Sequence, residues 1–181
     1  MKTVVLVFHN DLNSSRANAA LAEAARSVDG VEVRDMYALY PDFKIDIKKE
    51  QEVLEGADRI VLQFPMHWYS APALLQQYFD DVFQWGWCYG GGRALEGKEF
   101  MVSVTAGAST SAYDKSTGAH YTLHELLAPF HETVTRVHAN FIDSFEAAGA
   151  MSLDEQTIAD MKARYVACLT EEKAAPFEIH H

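Results

Sequence analysis

Short runs of apolar, β-branched residues alternate along the chain with longer stretches whose apolar positions recur every three or four residues, the pattern of parallel strand–helix–strand units. Val4–Phe8 is apolar throughout, as a strand buried on both faces must be. From Ala17 to Val28, residues Ala20, Leu21, Ala24, Ala25 and Val28 fall on a helical stripe that Gly30 ends. Val31–Met36 reads as a second strand, Ile47–Leu54 as a short helix closed by Gly56, and Arg59–Phe64 as a third strand running into Pro65. Helical spacing returns at Pro72, read as the first helical residue, and continues to Phe83. Gln84–Gly97, rich in glycine and aromatic residues, reads as a loop, Phe100–Thr105 as a fourth strand and Gly107–Gly118 as a second long loop. The spacing then predicts a helix over Tyr121–Phe130 that bends or stops near Pro129, and a fifth strand over Thr133–Phe141. Ser152 or Asp154 caps a last helix to about Leu169, with Ile158, Met161, Tyr165 and Cys168 on one stripe.

Five strands with intervening helices in 181 residues predict one domain over residues 1–181. The expected architecture is α/β, a three-layer sandwich around a five-stranded parallel, doubly wound sheet of the flavodoxin type, whose ligand site lies beyond the carboxyl ends of the strands. Composition agrees, since 49% hydrophobic and 23% charged positions belong to a globular chain and not a disordered one. The balance of 15 Lys and Arg against 26 Asp and Glu, a formal charge of -11, argues against nucleic acid as the main partner. Cys88 and Cys168 stand far apart without a CxxC pair, so neither a disulfide framework nor a thiolate metal cluster is expected and a reducing cytoplasm fits. Val4–Phe8 is too short for a secretory h-region or a membrane span. The closing His180-His181 reads as native or as a tag remnant, and carries no argument.

Three loops then converge on one crevice: His9–Arg16, Pro65–Ser70 and Ala106–Gly118. The first is neither a GxGxxG turn nor a GxxxxGK[ST] loop. Its Ser15, Arg16 and Asn18 at a helix N-terminus suit a phosphate monoester, while Ser14 or Ser15 as an ordinary helix cap is the simpler alternative. In the second, Trp68 and Tyr69 are placed to border a flat ligand, or else to pack on a neighbouring loop or another subunit. In the third, Thr105-Ala106-Gly107-Ala108 lets a ligand approach the backbone, and Tyr113 and His120 follow as proton-handling candidates. For His67, His120, His124, His131 and His138 taken singly, a surface or structurally satisfied histidine is the default. His120 and His124 lack an HExxH context, so a zinc site is rejected, and no GxSxG elbow makes Ser14 or Ser15 a nucleophile.

Taken together, these segments resemble the NAD(P)H dehydrogenase (quinone) branch of the flavodoxin-like proteins, and within it the ancillary flavoprotein subunits of glutathione-gated potassium efflux systems. The resemblance spans about Val4–Leu169. It rests on His9 with Ser15-Arg16-Ala17-Asn18, on Leu39–Phe43 leading to Asp46-Ile47 and Glu50-Gln51, on Gln63–Tyr69, on Trp87–Gly90 and on Val104–Gly107. It implies a flavin, FMN with FAD as the alternative, whose phosphate lies at His9 and Ser15, Arg16, Ala17 and Asn18. The ring is then expected against Met66, His67, Trp68 and Tyr69 and against Thr105, Ala106, Gly107 and Ala108. It further implies NADH or NADPH as donor, a quinone as acceptor in a two-electron ping-pong cycle, and a homodimer in which aromatic residues of Gln84–Gly92 reach the partner's pocket. Tyr113 and His120 match the order of a Tyr and a His that stabilise charge on the flavin in some members. Tyr113–Gly118 is one residue longer here, and Ala106 and Ala108 stand where Thr and Gly are usual.

Two rival expectations follow. One is a regulatory subunit docked on a potassium efflux transporter at the inner face of the membrane, and the other a one-electron carrier, disfavoured because the Thr/Ser-rich phosphate loop of such carriers is missing. A chain at -11 repels anionic ligands at long range, so attraction is expected from His9, Arg16, a helix N-terminus and backbone donors. The Leu39–Gln51 segment is expected to serve packing.

Overall fold

In the computed structural model, which describes residues 1–172 and 174–179, the first four strands and the helices between them lie within about two residues of the expected bounds, apart from the short α2, which the spacing does not predict. They are β1 (Thr3–Val7), α1 (Arg16–Arg26), β2 (Val31–Asp35), the short α2 (Met36–Leu39), α3 (Ile47–Glu55), β3 (Arg59–Pro65), α4 (Ala73–Val82) and β4 (Glu99–Thr105). Then come α5 (Ala128–Arg136), β5 (Asn140–Phe141), β6 (Phe145–Ala147) and α6 (Glu155–Thr170). The strands pair in the order β2-β1-β3-β4-β5, all in parallel, and β6 adds a third partner to β4, so the sheet holds five strands and one extra. His180 and His181 lie outside the described residues.

The alternation of side chains along β1 sorts the core into two layers. Val4, Leu6 and Phe8 pack on one face with Leu54 of α3, Leu74 and Tyr78 of α4, and Phe130 and Val134 of α5. Val5 and Val7 pack on the other face with Leu21 and Ala25 of α1 and Met161, Tyr165 and Leu169 of α6. Ser15 begins α1 by accepting the Asn18 amide, and Asp154, not Ser152, begins α6 by accepting the Thr157 amide. Pro72 is the cap before α4 instead of its first residue.

The expectation fails between Tyr121 and Phe141. Glu125–Leu127 is only a 3-10 turn, and Pro129 sits in the first turn of α5, where a missing N–H costs nothing. Thr133, Val134 and Thr135 look like strand residues, yet Phe130 and Val134, four positions apart, both face the core and hold them in the helix. The fifth strand therefore shrinks to Asn140–Phe141, and the chain bends before resuming as β6.

Two charged groups are taken wholly out of water. Glu50, in α3, accepts from Arg34 of β2, from the Tyr40 hydroxyl at 2.6 Å and from the Tyr78 hydroxyl at 3.2 Å, which gives the Leu39–Gln51 segment its packing role. At the other end of the sheet Arg59 donates to Glu99 Oε2 at 2.7 Å and to the carbonyls of Cys168 (3.0 Å) and Glu171 (2.7 Å), closing the last turn of α6. Replacing Arg59 by Met strips those carbonyls and Glu99 of their donor together. Arg59→Met is expected to lower the free energy of unfolding by about 3 kcal/mol, read as a lower urea midpoint at unchanged slope. A midpoint equal to that of the unmodified chain would refute the role of this clasp.

Candidate functional site

Every crossover covers a face of the sheet, so the open ground is the rim beyond the carboxyl ends of β1, β3 and β4. Three loops meet there. Of the first, His9 is half-buried, and its Nδ1 accepts the Asp11 amide at 3.1 Å, which leaves Nε2 to carry the proton of the neutral ring. Burial, and then the nearby His67, hold His9 below the ordinary histidine value, so the first and second loops are electrostatic neighbours.

The N-terminus of α1 offers the amides of Arg16 and Ala17 ahead of the first intrahelical bond. Ser15 caps the helix, as the simpler sequence reading has it, and its side-chain oxygen receives the Asn18 amide at 3.0 Å. The Asn18 side chain turns inward, fully buried, and donates to Thr105 Oγ1 at 2.8 Å. Arg16 reaches sideways to α6, donating to the Leu153 carbonyl at 2.6 Å and to Glu155 at 2.9 Å. Its charge is thus shared with Glu155, and the amides of Arg16 and Ala17 and the Nε2 of His9 are the donors at this loop without a partner among the described residues.

In the second loop, His67 and Ser70 exchange both backbone hydrogen bonds at 3.0 Å around Trp68 and Tyr69. Both central residues have positive φ, +49° and +64°, the geometry of a type I′ turn that ordinarily takes Asn-Gly. Two bulky aromatic residues in left-handed backbone cost of order 1–2 kcal/mol each, and such strain gathers at functional sites. The turn holds both rings out, with Trp68 95% and Tyr69 64% exposed. Trp68 is therefore nearly free of contact within its own chain, while Tyr69 keeps about a third of its surface covered. Met66 is tied inward, its amide donating to the Thr105 carbonyl at 2.7 Å.

The third loop starts from buried Thr105 and Ala106 and runs out to exposed Gly107 and Ala108. Tyr113 returns towards the second loop, where burial and then Tyr69 raise its pKa, so it stays a phenol near neutral pH. His120 is exposed farther along. A cavity of about 870 Å³ opens on the far side of Tyr113, between this loop and α6, bounded also by Leu123, Glu146, Leu153, Met161 and Arg164. None of His9, Ser15 or Trp68 borders it, and the shallow rim where the loops meet is the candidate site.

Two contributions escape the sequence reading. Ala147–Ala150 forms a fourth wall: Ala106 donates to Ala147 at 2.8 Å, Gly149 to Ala108 at 2.7 Å and Ala150 to Ala106 at 2.9 Å. Met151 then lies over Gly107, so that a Cβ there would sit 3.2 Å from its side chain. Its only sequence signal is a run of small residues after an unrecognised strand. Gln63, buried in the middle of β3, is the other, and a lone amide inside an apolar strand is a signal in itself. Among the described residues no cluster of three or more His, Cys, Asp or Glu is placed to hold a metal, and no helix is long and apolar enough to cross a membrane.

Helix-end amides, a half-buried His9, a strained aromatic turn and a small-residue loop are thus gathered at one rim of the sheet. Comparison with known proteins identifies relatives. An uncharacterized NAD(P)H oxidoreductase of Bacillus subtilis is 39% identical over 173 residues, 95% of this chain and 99% of the relative. The general stress protein 14 of Treponema denticola, whose structure is a complex with FMN, superposes with a TM-score of 0.86 at 31% identity, covering 93% of this chain and 98% of that one. An NADPH-quinone reductase of P. pentosaceus gives a TM-score of 0.86 at 27% identity, over 96% and 100% of the two chains. A thermophilic tryptophan halogenase from Streptomycin violaceusniger is also similar, with a TM-score of 0.90 at 38% identity over 94% and 99% of the chains. The profile of the flavodoxin-like fold family matches residues 1–169, and with these relatives the chain belongs to the flavodoxin-like NAD(P)H oxidoreductases.

Proposed function

We infer that the chain is a flavin-dependent NAD(P)H:quinone oxidoreductase, an enzyme that takes hydride from NADH or NADPH and delivers it to a quinone in a two-electron ping-pong cycle. The observation that carries the reading is the strained Trp68-Tyr69 turn held out beside the start of α1 and the loop after β4, in a chain whose relatives include an NADPH-quinone reductase and an FMN complex. FMN, when bound, supplies the relay that accepts hydride from nicotinamide and releases it to the acceptor.

The amides of Arg16 and Ala17 with the Nε2–H of His9 are assigned to the phosphate, where helix dipole and donors compensate the acidic surface. The amides of Met66, His67 and Ala106 are spent on Thr105, Ser70 and Ala147, so the amides of Trp68 and Tyr69 and of Gly107 and Ala108 are assigned to the edge of the ring, and the side chains of Trp68 and Tyr69 to the flat face that donor and acceptor share in turn. Tyr113, kept protonated, donates towards the charge that hydride arrival creates, and His120, on the same loop, is assigned to assist it.

Trp68 at 95%, Trp85 at 72% and Tyr121 at 62% exposure leave aromatic surface that a second copy of the chain would cover, and a homodimer belongs to this reading. The transporter-bound alternative rests on the sequence resemblance alone, so the free-standing enzyme is preferred.

Anaerobic NADH added to the FMN-loaded protein is expected to bleach the flavin absorbance in a single two-electron step, and a simple quinone to restore it. A protein that takes up neither FMN nor FAD overturns the proposal. His9 supplies a pH test. Burial lowers its pKa, so the unfolded chain binds a proton first as pH falls below about 6.5, and this residue contributes less stability there. Followed by NMR, His9 is expected to titrate below 6.5 without flavin, to shift upward when FMN phosphate is bound, and to rise in His67→Gln. A midpoint at or above 6.5 in the flavin-free protein contradicts the assignment.

A further inference from the structure

The face of the sheet beneath α1 and α6 changes character along its strands. On β3 the residues pointing that way run from Val61 to Gln63, and on β4 from Met101 to Ser103 and Thr105. All three polar side chains are buried, and Gln63 lies between Val7 of β1 and Ser103 of β4 in the strand register. A buried primary amide is costly unless its donors and acceptor are met. Gln63 meets them by bridging two helices. The Tyr165 hydroxyl of α6 donates to its Oε1 at 3.2 Å, and burial keeps that phenol protonated. Its Nε2 donates to the Asn18 carbonyl of α1 at 2.9 Å, with the Asn18 side-chain oxygen at 3.4 Å. Asn18 in turn donates to Thr105 Oγ1 at 2.8 Å.

Four elements are thereby joined in one line, α6 to β3 to α1 to β4. Its two working ends are the residues assigned to the flavin. The Asn18 amide closes the Ser15 cap in the same first turn as the Arg16 and Ala17 amides, and the Thr105 carbonyl holds the Met66 amide at the root of the aromatic turn. We propose that Gln63 is a positioning residue that sets the distance between the phosphate end and the ring end of the flavin site, with Tyr165 fixing its amide. The inference rests on the proposed flavin site. Two half-sites in fixed register bind a two-ended ligand far more tightly than either binds its own half, because the second contact is made without a further loss of freedom.

The physical consequence is specific to ligands that span both ends. FMN spans them, and riboflavin, which lacks the phosphate, uses the ring end alone. Gln63→Leu keeps the size of the residue and removes the bridge. It is expected to raise the Kd for FMN by about tenfold or more and that for riboflavin by less than about twofold. Tyr165→Phe, which leaves the amide in place and removes only its restraint, is expected to shift the FMN-to-riboflavin ratio in the same direction by a smaller factor, and serves where Gln63→Leu fails to fold by circular dichroism. Equal weakening of both ligands, or no change in either, overturns the inference. Whether the unmodified chain binds FMN at all is measured first and bears on the proposed function by itself.

Discussion

Two parallel strands cannot be joined by a tight turn, so β1 to β4 are each followed by a crossover, and each crossover lays a helix on one face or the other. With α3, α4 and α5 on one side and α1 and α6 on the other, both faces are used for the core. The rim at the carboxyl ends of the strands is then the place where backbone can stay unpaired and side chains can stand in water without opening the core. At the other rim Arg59 ties the end of α6 to β4, its Nε donating to Glu99 and its two terminal nitrogens to carbonyls of the last helical turn.

Within that constraint the two faces of the sheet are not equivalent. The face under α4 and α5 stays apolar to its end at Phe64 and Val104, and supports the aromatic turn from below. The face under α1 and α6 becomes polar over the last residues of β3 and β4, where Gln63, Thr105 and Asn18 are satisfied only by one another and by Tyr165. Apolar packing tolerates small slippage between elements, whereas a chain of buried hydrogen bonds has one register in which all its members are paired. A rigid relation between the start of α1 and the loop after β4 is the result. The strained turn at Trp68 and Tyr69 is held on that same frame through the Met66 amide, which is how its backbone cost is sustained.

Much of this was legible in the amino-acid order. Continuous apolarity in Val4–Phe8 and Arg59–Phe64 marks strands covered on both faces, and Ala20, Leu21, Ala24 and Ala25 mark a helix with one buried stripe, because these patterns depend only on local periodicity. The three loops followed from them, since in a doubly wound sheet the strand ends determine where loops can meet. What periodicity could not decide was the stretch from Tyr121 to Phe141. There the β-branched Thr133, Val134 and Thr135 favour a strand locally, and only the core contact of Phe130 and Val134 makes them helical.

Side-chain direction was likewise beyond the sequence. Ser15, Arg16 and Asn18 read as three donors at one phosphate, but which way each points depends on neighbours distant in the chain: Arg16 finds Leu153 and Glu155, and Asn18 finds Gln63 and Thr105. The wall at Ala147–Met151 was invisible because small residues carry no pattern of their own until β6 places them against Gly107. The sequence by itself determined the strands up to β4, the main helices between them and the loops that can carry a site, since these follow from hydrophobic period and the handedness of crossovers. Tertiary structure alone decided which of the polar groups turn inward to hold the frame and which are left facing a ligand, because a buried donor must find an acceptor and that acceptor is supplied by another element.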